Sequence, residues 1–238
     1  MDAATEGDPS AQNAMGYIFF TGNGVQRDID KAFIWFDLSA EQGNAEGQCN
    51  LGYMLAHGLG TNQNLEEAFE LYRKSAEQGH ARAQFNLGHA YSEGIGTGQN
   101  WTEAFNWYSK ASDNGSVAAC YRMGVMLEEG RGMDMDLKSA AACYERCCNE
   151  GHMPAQSRLG AMYLDGRGVK RDVSKARKLI SSAAKLEDGH AMYVLGCMCL
   201  EGKGMVKSRS NGIGWLERAA SKGHEKAILA LADPSELR

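Results

Sequence analysis

Small and apolar residues recur along this 238-residue chain in two alternating stripes, each with the spacing of one helix face. The first stripe reads A-x-x-x-L-G-x-x-Y, as in Ala83, Leu87, Gly88 and Tyr91. Its glycine returns at Gly16, Gly52, Gly88, Gly124, Gly160 and Gly196, each 36 residues from the last. A G-x-G pair follows six residues later, from Gly22/Gly24 to Gly202/Gly204. Glycine takes the left-handed conformation of a helix C-cap without a steric penalty, so each pair predicts the end of a helix. The second stripe reads A-x-x-W-Y, as in Ala104, Trp107 and Tyr108. Asp28, Asn64, Asn100, Asp136, Asp172 or Ser208 precedes it, residues whose side chains cap the amides of a first helical turn. It closes at Gly43, Gly79, Gly115, Gly151 and Gly223, with Glu187 in that place in the fifth copy.

A fixed period without insertion or deletion defines the architecture. The expected fold is all-α: a solenoid of six 36-residue helix-turn-helix repeats forming a single domain over 1–238, with repeats at about 8–43, 44–79, 80–115, 116–151, 152–187 and 188–223. Ala4 and Gly7 match Ala40 and Gly43, so the chain opens in the tail of an earlier repeat. Ala227 and Leu231 match Ala191 and Leu195, so a lone first helix at 224–232 caps the far end. Pro9 and Pro154 fall near helix starts and Pro234 after the last helix. Trp35, Trp107 and Trp215 share one column, read as core; Met54, Met126, Met162 and Met198 share another, read as a packing layer. His80, His152 and His224 stand at helix entries, where a capping role is expected.

The combined pattern, most complete in residues 80–115, resembles the Sel1-like repeat, a helical-hairpin relative of the tetratricopeptide repeat. The resemblance spans practically the whole chain. It implies a right-handed α/α solenoid with first helices along a concave face, and an adaptor holding other proteins or peptides. Departures are local: Cys143 replaces the tryptophan, Gly212 the alanine and Glu187 the glycine. The family's secreted cysteine-rich branch pairs cysteines eight residues apart. Here Cys120 faces Ser112 in that pattern and Cys148 faces Gln156, so neither bridge can form, and that branch's action on β-lactams does not carry over. The tetratricopeptide carboxylate clamp needs Lys and Asn four apart in the groove columns, and no such pair occurs.

By that analogy the groove is lined by Asn13 and Tyr17, Cys49 and Tyr53, Phe85 and His89, Tyr121 and Val125, Ser157 and Ala161, and Tyr193 and Cys197. Asn50, Asn86, Arg122 and Arg158 border it. Tyrosine and arginine are favoured interface anchors. The competing reading is that several of these rings pack between repeats.

Charge changes the picture at one end. Residues 1–165 hold 11 Lys+Arg against 22 Asp+Glu, whereas 166–238 hold 14 against 8. A basic edge is expected from Arg167, Lys170, Arg171, Lys175, Arg177, Lys178, Lys203, Lys207 and Arg209. It could steer an acidic partner, or the acidic half of another copy head-to-tail, although ordinary solvated faces explain most such charge. The overall charge of −5 argues against nucleic-acid binding, and no apolar run approaches membrane-spanning length. Seven cysteines without a signal peptide point to a reducing, cytoplasmic setting. Cys120, Cys143, Cys147 and Cys148 gather in the fourth repeat, but C-x3-C-C lacks knuckle spacing and buried thiols commonly serve as small apolar residues. Neither a catalytic constellation nor a phosphate loop is present. The reading is therefore a monomeric, non-enzymatic scaffold with no cofactor and no metal, binding a protein or peptide along its concave face. The alternatives are small-molecule or glycan binding in the aromatic groove, and a thiol-based metal or redox protein centred on the fourth repeat.

Overall fold

The computed structural model describes residues 2–232, all of whose regular structure is helical; Pro234 lies outside the described residues. The described residues fall into two compact units, within Met1–Ala119 and Cys120–Arg238. The first contains α1 (Asp2–Thr5) and the hairpins α2 (Pro9–Thr21) with α3 (Ile29–Glu41), α4 (Ala45–His57) with α5 (Leu65–Glu77), and α6 (Ala81–Glu93) with α7 (Trp101–Asp113). The boundary falls inside α8 (Val117–Glu129). The second unit continues with α9 (Leu137–Asn149), the hairpins α10 (Met153–Asp165) with α11 (Val173–Lys185) and α12 (Gly189–Glu201) with α13 (Arg209–Ser221), and α14 (Glu225–Ala232).

Helix boundaries follow from local chemistry. Asp28, Asn64, Asn100, Asp136, Asp172 and Ser208 each accept a hydrogen bond from a first-turn amide of the helix they precede. Each such cap is worth about 1 kcal/mol. His80, His152 and His224 do the same through Nδ1, at 3.3 Å from the amides of Ala83, Ala155 and Ala227. The first helices end on left-handed glycines as expected. Glu187 adopts φ 65°, the one positive φ at a non-glycine among the described residues, and its side chain pairs with Lys222 at 2.5 Å.

Each hairpin closes on its repeat glycine. The large residue following the tryptophan column packs straight onto it: Phe36 on Gly16, Tyr72 on Gly52, Tyr108 on Gly88, Tyr144 on Gly124, Ile180 on Gly160 and Leu216 on Gly196. A methyl group at Gly88 would lie 2.8 Å from Tyr108 Cδ1, and one at Gly160 only 2.5 Å from Ile180 Cγ1. Ala32, Ala68, Ala104, Ala140 and Ala176 are buried one turn earlier on the same face. Gly212 breaks that alanine run because Leu200 fills the space, 2.6 Å from where a Cβ would stand. The methionine column is buried as a packing layer.

Two core expectations are corrected. Trp35, Trp107 and Trp215 are half-buried, since the next residue takes the place at the crossing. The tryptophans lie on the helix flanks, where Lys110 Nζ sits 3.9 Å above the Trp107 ring and Arg218 Cζ 4.4 Å above Trp215. Cys143, in the tryptophan column, is half-buried for the same reason, and so is Cys148; Cys147 is the buried thiol of α9.

The first unit carries an amide ladder that the sequence reading missed. Gln42 donates to Gln12 at 2.6 Å, Gln78 to Gln48 at 2.8 Å and Asn114 to Gln84 at 2.8 Å. In the second unit the corresponding acceptor is Gln156, but Leu186 stands where its amide donor should be. Gln156 Oε1 is buried with no hydrogen-bond partner.

Two stability predictions follow from these contacts. Gly88→Ala should destabilise by about 2 kcal/mol in urea unfolding, overpacking against Tyr108 outweighing the helix propensity of alanine. Gly98→Ala, with open space around it, should be neutral within about 0.5 kcal/mol; equal effects at the two glycines would refute the crossing argument. Leu186→Gln should stabilise by about 1 kcal/mol by supplying the missing donor to Gln156. No gain in the unfolding midpoint would mean that the ladder does not extend to this repeat.

Candidate functional site

Each unit has a groove along its first helices. In the first unit a space of about 260 Å³ is lined by Tyr17, Phe20, Phe36, Asn50, Tyr53, Met54, Arg82 and Asn86. Tyr17 is 56% exposed and Tyr53 42%, so two rings of the expected stripe present their faces to solvent. Phe20 meets Tyr53 edge-on at 6.3 Å, and His57 lies 4.3 Å from Tyr53. Arg82 donates to Asn50 Oδ1 and, at 3.3 Å, to Cys49 Sγ. Asn50 in turn donates to Asn13 Oδ1 at 2.7 Å. Asn13 and Asn50 are both buried, so this pair joins neighbouring hairpins and Asn13 is withdrawn from the groove surface.

In the second unit the groove is larger, about 620 Å³, and its lining brings together Tyr121, Ser157, Arg158, Ala161, Tyr193 and Cys197 from the expected stripe. Pro154, Asp165, Asp188, His190, Glu201 and Lys226 were missed in the sequence, and Asp165, Asp188, Glu201 and Lys226 add charge of both signs. Arg158 bridges the wall: Nη1 reaches Glu128 at 2.8 Å and Nε donates to the Tyr121 hydroxyl at 3.2 Å. Glu128 also accepts from the Tyr144 hydroxyl at 2.8 Å and pairs with Arg167 at 3.4 Å. Phe85, His89 and Arg122 line neither groove: Phe85 packs on Tyr108 at 5.6 Å, His89 is half-buried, and Arg122 is exposed. Every residue of the basic edge is exposed.

The thiols of the fourth repeat do come together. Cys120 donates to the Cys143 carbonyl at 3.5 Å, and its thiol also contacts those of Cys143 and Cys147. Contact with Cys120, together with burial, raises the pKa of Cys143 and Cys147, and burial pushes Cys148 up to about 11. Such thiols are inert as nucleophiles near neutrality. Among the described residues no three His, Cys, Asp or Glu side chains are arranged to hold a metal ion, so the metal alternative gains no geometric support.

Two groove tyrosines rest on capping histidines. Tyr121 lies 4.7 Å from His152, and Tyr193 stacks on His224 at 4.6 Å. Burial lowers the pKa of both histidines from 6.5; Cys120 opposes this at His152, while Lys226 adds to it at His224. The unfolded chain therefore binds more protons than the folded one. The stabilisation is fully present above about pH 6.5 and lost as pH falls through the folded values. The urea midpoint should drop between pH 7 and pH 5. A His152→Asn/His224→Asn variant, with the cap residue that Asn44 already provides to α4, should show a shallower drop. An unchanged slope would sink this account.

The model of the Sel1 repeat family matches residues 9–44, 45–80, 81–116, 117–152, 154–188 and 189–224. No curated protein matches the chain. Among solved structures, a protective antigen present in uropathogenic Escherichia coli strains and displaying an SLR fold is 31% identical, with a TM-score of 0.85. That match covers 94% of this chain but 48% of the antigen, so the chain spans about half its relative's length. A Sel1 repeat protein from Oxalobacter formigenes is 35% identical with a TM-score of 0.80, over 92% of this chain and 86% of that one. Proteins with this repeat are generally non-enzymatic interaction scaffolds. Six consecutive matched repeats, an all-helical fold and these neighbours together establish that the chain belongs to the Sel1 repeat family, as an α-solenoid.

Proposed function

We propose that this protein is a non-enzymatic adaptor that holds a protein or peptide partner in the grooves along its first helices. The observation that carries the reading is the groove of the second unit, where two tyrosines stand among groups of both charge signs in a half-open space of about 620 Å³. Aromatic faces supply contact area, and the flanking charges fix register and orientation. Arg158 is already held by Glu128 and Tyr121, so its guanidinium is pre-organised and little side-chain entropy is lost when a partner docks. The smaller groove of the first unit, with Tyr17 and Tyr53 exposed, would take a second aromatic or aliphatic anchor. The seven cysteines, none in a disulfide among the described residues, fit a reducing compartment, and a cytoplasmic setting is part of the proposal.

The test is affinity capture from the source lysate with the full chain, read by mass spectrometry. Wild type is compared with Tyr121→Ala/Tyr193→Ala and with Tyr17→Ala/Tyr53→Ala, each verified as folded by circular dichroism. A partner retained by wild type and weakened at least about tenfold by the first variant is expected. Partners held equally by wild type and both variants would remove the grooves from the function.

A further inference from the structure

We propose that the turn edge of the second unit docks on an anionic lipid surface. The argument begins with charge that the fold leaves uncompensated. Over residues 166–209 ten Lys+Arg face four Asp+Glu. Arg167, Lys175 and Lys203 are paired with Glu128, Glu145 and Glu201. Arg171 and Arg177 instead spend their hydrogen bonds on neutral carbonyls, those of Leu164 at 3.0 Å and Gly204 at 3.2 Å, and keep their charge. Lys170, Lys207 and Arg209 are exposed, and none of them forms an ion pair among the described residues.

Arg171, Arg177, Lys203 and Lys207 converge on the turn between α12 and α13. The Arg177 bond to Gly204 ties α11 to that turn, and Gly204 packs directly on Val173, the first residue of α11, which follows Lys170 and Arg171 within three residues. Lys203 and Arg171 are near enough to influence each other electrostatically. The patch lies on protruding turns and a helix flank. That arrangement meets a plane of charge better than it encloses an extended acidic peptide.

A second observation is independent of charge. The tip of each inter-helix turn is exposed, and five repeats fill it with Gln26, Asn62, Gly98, Asp134 or Lys170. The sixth presents Val206, 87% exposed, beside Lys207 and close to Lys203. An apolar tip ringed by cations suits the headgroup boundary of an anionic bilayer, where lysine and arginine gain from the surface potential and a small aliphatic group enters the interface. It does not suit a single-stranded nucleic acid, because the ring beside it, Tyr163 under Lys175, is buried and cannot stack a base. The chain has no helix long and apolar enough to cross a membrane among its described residues, so the contact would be peripheral.

The experiment is co-sedimentation of the full chain with vesicles of phosphatidylcholine alone, and of three parts phosphatidylcholine to one part phosphatidylglycerol. Binding is expected to the second only, and to be lost at about 0.5 M salt. Lys170→Glu/Lys207→Glu/Arg209→Glu should lower partitioning at least about tenfold. Val206→Ser should lower it about threefold with the salt dependence unchanged. All four positions are exposed, so circular dichroism should be the same for each variant. The proposal is overturned by equal binding to both vesicles, by undiminished binding of the charge-reversed variant, or by no binding at low salt. Binding to polyuridylate or polyglutamate as tight as to the anionic vesicles also overturns it, and would reassign the edge to nucleic acid or to an acidic protein.

Discussion

The fold depends on the absence of one carbon atom, repeated six times. At Gly16, Gly52, Gly88, Gly124, Gly160 and Gly196 a ring or branched side chain of the second helix lies where a Cβ would be. The two helices of a hairpin can therefore approach until backbone meets side chain, and the buried alanines beside the crossing keep the same closeness over a further turn. Close packing of this kind fixes the crossing and with it the length of the turn, because the chain must leave α2 and enter α3 within a set reach. The constant G-x-G spacing and the constant cap position are consequences of that geometry. A helix in mid-array with alanine in place of the glycine would need a different partner angle, and the next hairpin would lose its register.

Around this common crossing the two units are joined internally by different chemistry. The first uses neutral amides, with Gln12, Gln48 and Gln84 each bonded to the amide thirty residues on and Asn50 bonded to Asn13. The glutamine bonds each close one hairpin on itself, whereas Asn50 to Asn13 joins neighbouring first helices, and the accompanying groove is the smaller one. The second unit replaces the column with Cys120, Gln156 and Met192 and leaves Gln156 with an orphaned acceptor. Its hairpins are linked by ion pairs, Arg158 to Glu128 and Lys175 to Glu145, where the first unit has Arg82 bonded to the neutral Asn50.

This division explains what could be read from sequence. The period, the six N-caps, the glycine C-caps and the histidine caps depend on neighbours within a few residues, so residue identity alone carries them. The tryptophan column was misread as core because hydrophobicity does not say which of two adjacent large residues, Trp107 or Tyr108, points at the glycine. Asn13 was placed on the groove although the partner that buries it, Asn50, lies 37 residues away. Arg82, His190 and Lys226 were missed as groove residues because a polar side chain near a helix start reads as solvated. What counts is that Arg82 and Lys226 belong to the next first helix after the one that carries Tyr53 or Tyr193, while His190 stands on the helix of Tyr193 itself. Such relations across repeats have no local signature.

Glu128 shows how these levels meet in one side chain. It is nearly buried, and a lone carboxylate there would be costly. Its oxygens accept from the Tyr144 hydroxyl, whose ring is packed on Gly124 at the hairpin crossing. They also hold Arg158 in the groove wall and Arg167 on the turn edge. One carboxylate thus ties the crossing to the groove and the groove to the basic edge. Because Arg158 also bonds the Tyr121 hydroxyl, the position of a candidate recognition ring is set by the same contact. Neutralising Glu128 would free Arg167 and leave Arg158 held by Tyr121 and by Glu129 at 3.7 Å, loosening the Tyr121 wall while leaving the glycine crossing intact. The repeat frame and the candidate recognition surface of this chain are therefore separable.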